Sequence, residues 1–461
     1  MTEYDLVVIG SGPAGQKAAI SAAKLGKKVA IVERKLSIGG VCLHKGTIPS
    51  KTLREAVSYL SGVRQRELYG AAYRVKDKIT MQDLNFRTQR VIESETNVVR
   101  DQLIRNYVDI IPGTGCFADP HTIMATTQEE SRVLKGEKIV IAVGTRPARP
   151  ANIQFDDERI IDSDGLLNLR EMPRTMTFVG AGIVGTEYAT IFRVMGVRVT
   201  LIDGRERPLD FVDDEIEDAL YYHMRDEGIT LRFGEEVSAV ERTDDDRVRV
   251  TMESGKELTS DSLMFAAGRE GSSKDLCLEA IGLHPDKRGR LKVNKNFQTE
   301  LGHIYAVGDI IGFPSLASTS MEQGRIAAMH AFGVRNEHPA DMQLPYGVYT
   351  IPEISMVGPT EQALTRDAIP YEIGVARFRE LSRVHISGGS AGILKLLFHR
   401  ETYKLLAVHI LGESATELIH IGQAVIDHGG SVKYFRDAVF NYPTLAEAYK
   451  VAALDGLNKM A

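Results

Sequence analysis

Short unbroken apolar runs alternate along this chain with longer stretches whose apolar positions recur every three or four residues. The alternation begins at once. Leu6–Ile9 reads as a buried strand and leads into Gly10-Ser11-Gly12-Pro13-Ala14-Gly15. An alanine-rich helical stretch follows (Ala18, Ala19, Ala22, Ala23), Gly26 ends it, and Val29–Val32 forms a second strand closed by Glu33. The same order returns further on. Met176–Val179 leads into Gly180-Ala181-Gly182-Ile183-Val184-Gly185, a helix runs to Gly196, and Val197–Ile202 ends at Asp203. Twenty-three positions separate the first glycine from the acid in both copies.

Each position in the repeat has a physical reason. The first glycine (Gly10, Gly180) makes the tight turn. The second (Gly12, Gly182) lets backbone approach a pyrophosphate, and the third (Gly15, Gly185) lets helix pack on strand. The helix N-terminus offers free N–H groups and a positive dipole end to that pyrophosphate. Glu33 and Asp203 stand where ribose hydroxyls would be bound. Bare glycine spacing is weak evidence, but strand, helix, strand and terminal acid in order make chance a poor explanation. Two such units imply two bound dinucleotides, with electron traffic between them.

Beyond residue 346 the pattern changes. Strand-like Gly392–Phe398 and Leu405–Leu411 precede helix-like Ala415–Asp427 and Thr444–Met460. The expected fold is therefore α/β, with two Rossmann-like dinucleotide-binding domains and a C-terminal α+β domain. The expected boundaries are 1–150, 151–270, 271–345 and 346–461, the first and third forming one discontinuous domain. Pro147, Pro150 and Pro173 bracket one crossing, and the polar stretch 336–346 marks another. Asp244-Asp245-Asp246 reads as a solvated hairpin turn, not a metal site.

Composition narrows the class only modestly. The 461 residues suit about three domains. A net charge of −6 argues against nucleic-acid binding. No apolar stretch is long enough to span a bilayer. Three cysteines at unrelated spacings suggest no disulfide framework and fit a reducing cytosol, so a cytoplasmic protein is expected. Cys116 and Cys277 read as ordinary packed residues, and His420 as a core or interface histidine.

Residues 39–51, G-G-V-C-L-H-K-G-T-I-P-S-K, resemble the redox-active segment of the flavoprotein disulfide reductase family, which carries C-x-x-x-x-C there. Here Cys42 keeps the first position and Thr47 takes the second. A hydroxyl cannot form a disulfide, so the site cannot cycle between dithiol and disulfide. F-N-Y-P-T-L-A-E (440–447) resembles the family's H-P-T-x-x-E, with Tyr442 in the histidine's place and Glu447 retained. T-E-L-G-H-I-Y-A-V-G-D (299–309), I-V-I-A-V-G-T-R-P (139–147) and L-M-F-A-A-G-R (263–269) resemble the family's second flavin motif and its two interdomain connections. The resemblance runs from residue 4 to residue 460.

The resemblance implies a homodimer that binds FAD in its first Rossmann unit and NAD or NADP in its second. It places Gly10, Gly12, Gly15, Glu33, Arg34, Gly40, Cys42, Thr47, Lys51, Gly115, Gly144 and Asp309 at FAD. Gly180, Gly182, Gly185, Asp203, Arg205 and Gly268 fall at NAD(P). Lys51 and Glu187 match the ion pair beside flavin N5. With Thr47 removing the disulfide that would drain the flavin, the implied reaction is hydride transfer from NADPH to NAD⁺ through FAD, a transhydrogenation. Two alternatives stand beside it: an NAD(P)H diaphorase or quinone reductase, and a retired flavoprotein serving as an interaction subunit. Tyr442 reads as a packing or hydrogen-bonding residue at the interface, and Glu447 as a relic or a structural partner. Cys42 carries two readings, a lone thiol that forms a sulfenic acid in peroxide reduction or, the favoured one, a buried retained residue without redox role.

Overall fold

The computed structural model describes residues 2–35, 37–334, 343–389 and 391–460. Residues 336–342 of the polar stretch lie outside them. The chain divides into two compact units. The first comprises Met1–Thr52, Asn85–Ala148 and Gly268–His338, and the second Leu53–Leu84, Arg149–Ala267 and Pro339–Ala461.

In the first unit the strand Thr2–Ile9 lies parallel to Val29–Glu33 on one side and to Ser131–Ile141 on the other. Asp109–Pro112 and Ile304–Ala306 add parallel strands at either end. Period-two alternation decides the packing. Leu6 and Val8 join one buried cluster with Ala18, Ala19, Ala22, Ala327 and Ala328. Val7 and Ile9 face the other way, into Phe117, Ile123, Leu276 and Ile304. Fully burying each large side chain is worth about 1.5–3 kcal/mol. The small residues of helix Pro13–Lys24 let helix Ala317–Ala331 approach so closely that a side chain at Gly324 would strike the Ala14 carbonyl.

The second unit holds a parallel sheet ordered 230–233, 198–203, 175–179, 262–265, 160–162. Beside it in sequence, Val237–Arg242 and Val248–Met252 pair antiparallel. The Asp244–Asp246 run is their connecting turn, as expected, with Asp246 ion-paired to Arg159 and Arg242. The C-terminal part forms a five-stranded antiparallel sheet ordered 346–348, 353–357, 405–412, 392–399, 371–377. Helices Ala415–Asp427 and Glu447–Asn458 cover it, burying Phe435, Tyr449 and Ala452. The α/β reading with two Rossmann-like sheets and an α+β tail therefore holds.

One expectation fails. Cys116 and Cys277 are not separate packed residues; they form a disulfide, with Cα atoms 5.4 Å apart. Cys116 sits on the edge strand Thr114–Asp119 and Cys277 in the turns that cover it. The two are 161 residues apart, a closure that only the folded sheet brings about. The cysteine argument for a reducing compartment falls with it. Thiol titration of the unfolded chain should find one thiol before reduction and three after, since Cys42 is the only cysteine outside the bond. Three thiols without reductant would contradict the pairing.

Candidate active site

Strand Thr2–Ile9 ends at Gly10, whose φ of +102° requires glycine. A Cβ on Gly15 would fall inside the Gly10 carbonyl oxygen, so helix and turn can meet only here without a side chain. Gly12, by contrast, has nothing within 4 Å of where a Cβ would stand. That open face, at the start of helix Pro13–Lys24, is a cradle of the kind a pyrophosphate fills. Glu33 is buried, and its Oε2 accepts from Ser11 N (3.0 Å) and Ser11 Oγ (2.6 Å). Gly39 N donates to Ser11 Oγ at 2.9 Å, and Lys35 N to Glu33 Oε1 at 3.0 Å. Ser11, absent from the sequence expectations, thus ties the acid to the turn and to the segment leading to Gly40. Arg34 forms an exposed pair with Asp275, worth little by itself.

The second copy repeats the device. Gly180 has φ +100°, Gly185 closes on the Gly180 carbonyl, and Gly182 is open. Ala181 N donates to Asp203 Oδ2 at 2.7 Å, as Ser11 N does to Glu33. Asp203 differs in having a cation on it. Arg205 donates through Nε to Oδ1 (3.0 Å) and through a terminal nitrogen to Oδ2 (2.9 Å). Burial pushes the Asp203 carboxyl up, but the Arg205 guanidinium and two backbone N–H groups outweigh it and hold it below the usual range. Arg207 goes elsewhere. It pairs with Glu217 at 2.8 Å, Asp218 at 3.0 Å and Asp214 at 3.4 Å on the following helix, away from Asp203.

Cys42 lies in the short helix Gly40–His44, and Thr47 opens helix Thr47–Ser61, which carries the half-buried Lys51. Burial pushes the Cys42 thiol up. A hydrogen bond with Thr47 and the Lys51 charge pull it down, and Asp309 adds to the rise. The net rise disfavours the thiolate, the form that reacts. Asp309 is also pushed up by burial, against the pull of Arg269 and Thr145. Thr145 Oγ1 donates to Asp309 Oδ2 at 3.3 Å and accepts from Arg269 Nε at 2.8 Å. Thr145 and Arg269 lie in the two connecting segments, 139–147 and 263–269. Gly115 lies on strand Thr114–Asp119, and Gly144 just before strand Thr145–Pro147. Gly268 opens the last segment of the first unit, where its carbonyl accepts from Ala148 N.

Glu187 is buried on helix Ile183–Val194, and its Oε1 accepts from Tyr349 N at 2.8 Å. Near the C-terminus, Tyr442 is 69% exposed and hydrogen-bonds to Ser382 Oγ at 2.6 Å, while Glu447 begins the last helix. His420 is not a core residue. It sits on the exposed face of its helix, bonded to Gln423 at 2.9 Å.

The family model described as pyridine nucleotide-disulphide oxidoreductase matches residues 4–324, and that of the family's dimerisation domain matches 344–453. The chain belongs to this family. As a pyridine nucleotide-disulphide oxidoreductase it uses FAD and NAD(P), and the two open glycine turns with their buried acids fit those groups. It is 58% identical to the soluble pyridine nucleotide transhydrogenase of Mycobacterium bovis, covering 100% of this chain and 98% of that one. Its identity to the enzyme of the same name from Colwellia psychrerythraea is 47%, with 99% of each covered. Among solved structures it resembles LpdA from Mycobacterium tuberculosis (TM-score 0.90, 25% identity, 100% of both chains). It also resembles the Cu(II) complex of the HOCl-induced flavoprotein disulfide reductase RclA from Escherichia coli (TM-score 0.89, 26% identity, 98% and 99% covered). No helix among the described residues is long and apolar enough to cross a membrane.

Proposed function

We propose that this oxidoreductase is an NAD(P)⁺ transhydrogenase that moves hydride from NADPH to NAD⁺, with FAD between them and no redox disulfide. The cysteine inventory carries this reading. Cys42 has Thr47 where a second sulfur is needed, and the remaining cysteines, Cys116 and Cys277, are bonded to one another elsewhere in the first unit. No dithiol can form at Cys42, and burial disfavours its thiolate. The names of the relatives at 58% and 47% identity support the same reaction.

When bound, FAD would supply a two-electron acceptor that either nicotinamide can address. The chain's own groups would do the rest. The Gly10–Gly15 turn, Glu33 and Asp309 hold FAD, and the Gly180–Gly185 turn with Asp203 holds the nicotinamide coenzyme. Lys51 supplies positive charge at the flavin, and Glu187 is the acid that the family resemblance assigns to the same chemistry. Residues 344–453 form a homodimer. The test is purified enzyme assayed with NADPH and thio-NAD⁺ beside lipoamide, glutathione disulfide and quinone. Turnover with thio-NAD⁺ and none with the disulfides is expected; clear disulfide turnover, or quinone as the only efficient acceptor, would overturn the proposal.

Coenzyme choice follows from the Asp203–Arg205 pair. A lone acid would accept the 2′-OH of NAD and repel the 2′-phosphate of NADP. Here Arg205, half-exposed, neutralises the acid and can turn to a phosphate, so one pocket admits both coenzymes. A charge-assisted bond of this kind is worth about 1.5–3 kcal/mol. Arg205→Ala should therefore raise the KM for NADPH by about 10–100-fold and change that for NADH little. Equal effects on both would contradict the assignment.

A further inference from the structure

The peptide Tyr349–Glu353 is gripped at nearly every residue, and the grips lead to one carboxylate. Tyr349 N donates to Glu187 Oε1 at 2.8 Å. Ile351 N donates at 3.2 Å to Thr190 Oγ1, which itself donates to the Glu187 carbonyl at 2.8 Å. The loop therefore holds both the Glu187 side chain and the helical turn that bears it. What holds the loop is Arg54. Its side chain is 5% exposed. Nε donates to the Thr350 carbonyl at 3.0 Å, one terminal nitrogen pairs with Glu353 Oε1 at 3.0 Å, and the other with Glu55 at 2.8 Å. Glu353 is 7% exposed and is braced from behind, its Oε2 accepting from Thr416 N (3.1 Å) and Thr416 Oγ1 (2.8 Å).

We propose that Arg54 is a positioning residue for the hydride transfer, acting through the Tyr349–Glu353 loop on Glu187. The inference rests on the reading of Glu187 as a group that serves the flavin. Arg54 lies one helical turn after Lys51 on helix Thr47–Ser61, so the helix that carries the lysine also carries the cation that sets the glutamate. A fork of donors is needed for this. Lysine could keep the charge against Glu353 but could not also hold the Thr350 carbonyl in the same plane. Without Arg54, Glu353 would be a buried, uncompensated carboxylate. The loop would shift to solvate it, carrying the Tyr349 N–H off Glu187.

Misplacement on the scale of an ångström costs up to about a hundredfold in rate. In the FAD-loaded enzyme, Arg54→Met should slow bleaching of the flavin by NADPH by about ten- to a hundredfold, with the NADPH dissociation constant unchanged. In a Glu187→Gln background it should add little. Hydrogen exchange of the Tyr349 amide in the full-length protein should rise in Arg54→Met and less in Arg54→Lys. If Arg54→Met fails to fold, Arg54→Lys and Glu353→Gln carry the same two measurements. Slowing by the same factor in both backgrounds, or an unchanged Tyr349 amide, would overturn the positioning role while leaving Glu187 in place. An unchanged rate in Glu187→Gln alone would instead remove Glu187 from the site, and the proposal with it.

Discussion

Lys395→Met should destabilise the chain by about 3–5 kcal/mol, the usual cost of leaving a buried charge without its partner. Lys395 and Asp213 are both fully buried, with Nζ 2.9 Å from Oδ1. Glu361 at 2.5 Å and Glu215 at 3.1 Å complete the shell. The three acids could otherwise hold a metal ion, but the ammonium sits among them. Asp213 also caps helix Asp214–Asp226 and accepts from Glu361 N, so one carboxylate joins the Rossmann part of the second unit to its C-terminal part. Burial pushes Asp213 up, yet His409, Lys395 and the Glu361 N–H outweigh it and hold it below the usual carboxylate range. Lys395 is pushed down by burial and further up by its three acids, for a net rise. A depressed acid contributes stability above its ordinary pKa of about 3.9 and loses it as pH falls through the lower folded value. A raised lysine contributes below about 10.4 and loses it as pH rises beyond. The clamp is therefore intact across neutral pH. In Lys395→Met, Asp213 loses its cation and can be relieved by protonation, so the deficit should shrink toward acid pH. Adding Asp213→Asn should recover much of it. Denaturant unfolding of the three proteins at neutral and acid pH measures all of this, and a deficit independent of pH would contradict it.

Lys51→Met should keep FAD bound but slow flavin bleaching by NADPH by about 10²–10³, the typical cost of removing one preorganised group that meets developing charge. Lys51 is placed by helix Thr47–Ser61, whose first residue stands where the family carries its second sulfur. The substitution removes charge while keeping length and apolar bulk. Stopped-flow mixing with NADPH checks it, and an unchanged rate with full FAD occupancy would take Lys51 off the catalytic list.

The legible parts of this molecule were those written locally. Glycine spacing and a terminal acid sufficed for both dinucleotide turns, because a tight turn and a close helix leave glycine no substitute. Helix Ala415–Asp427 matches its expected limits, and the strands Gly392–His399 and Leu405–Gly412 exceed theirs by one residue each. What stayed hidden depends on distant partners. Cys116 meets Cys277 only once the edge strand and the later turns have come together. Lys395 interrupts an apolar strand, and nothing nearby in sequence names Asp213 as its partner. Arg205 and Arg207 stand two residues apart, yet one bonds Asp203 and the other the acids of the next helix. Ser11, Thr145 and Arg54 act through hydrogen bonds that carry no periodic signal. Helix Met81–Arg105 went unread because its exposed positions, Phe86, Val98 and Ile104 among them, blur the apolar stripe.

The claim that hydride passes between nicotinamides without thiols is tested most directly in single turnover. Cys42→Ser, loaded with FAD and kept free of oxygen, is mixed with one equivalent of NADPH and then with thio-NAD⁺. The account predicts bleaching of the flavin, its full recovery, and one thio-NADH formed per NADPH consumed, at a rate close to that of the unmodified enzyme. Loss of thio-NADH formation by orders of magnitude, with FAD still bound, would contradict it and return Cys42 to the chemistry.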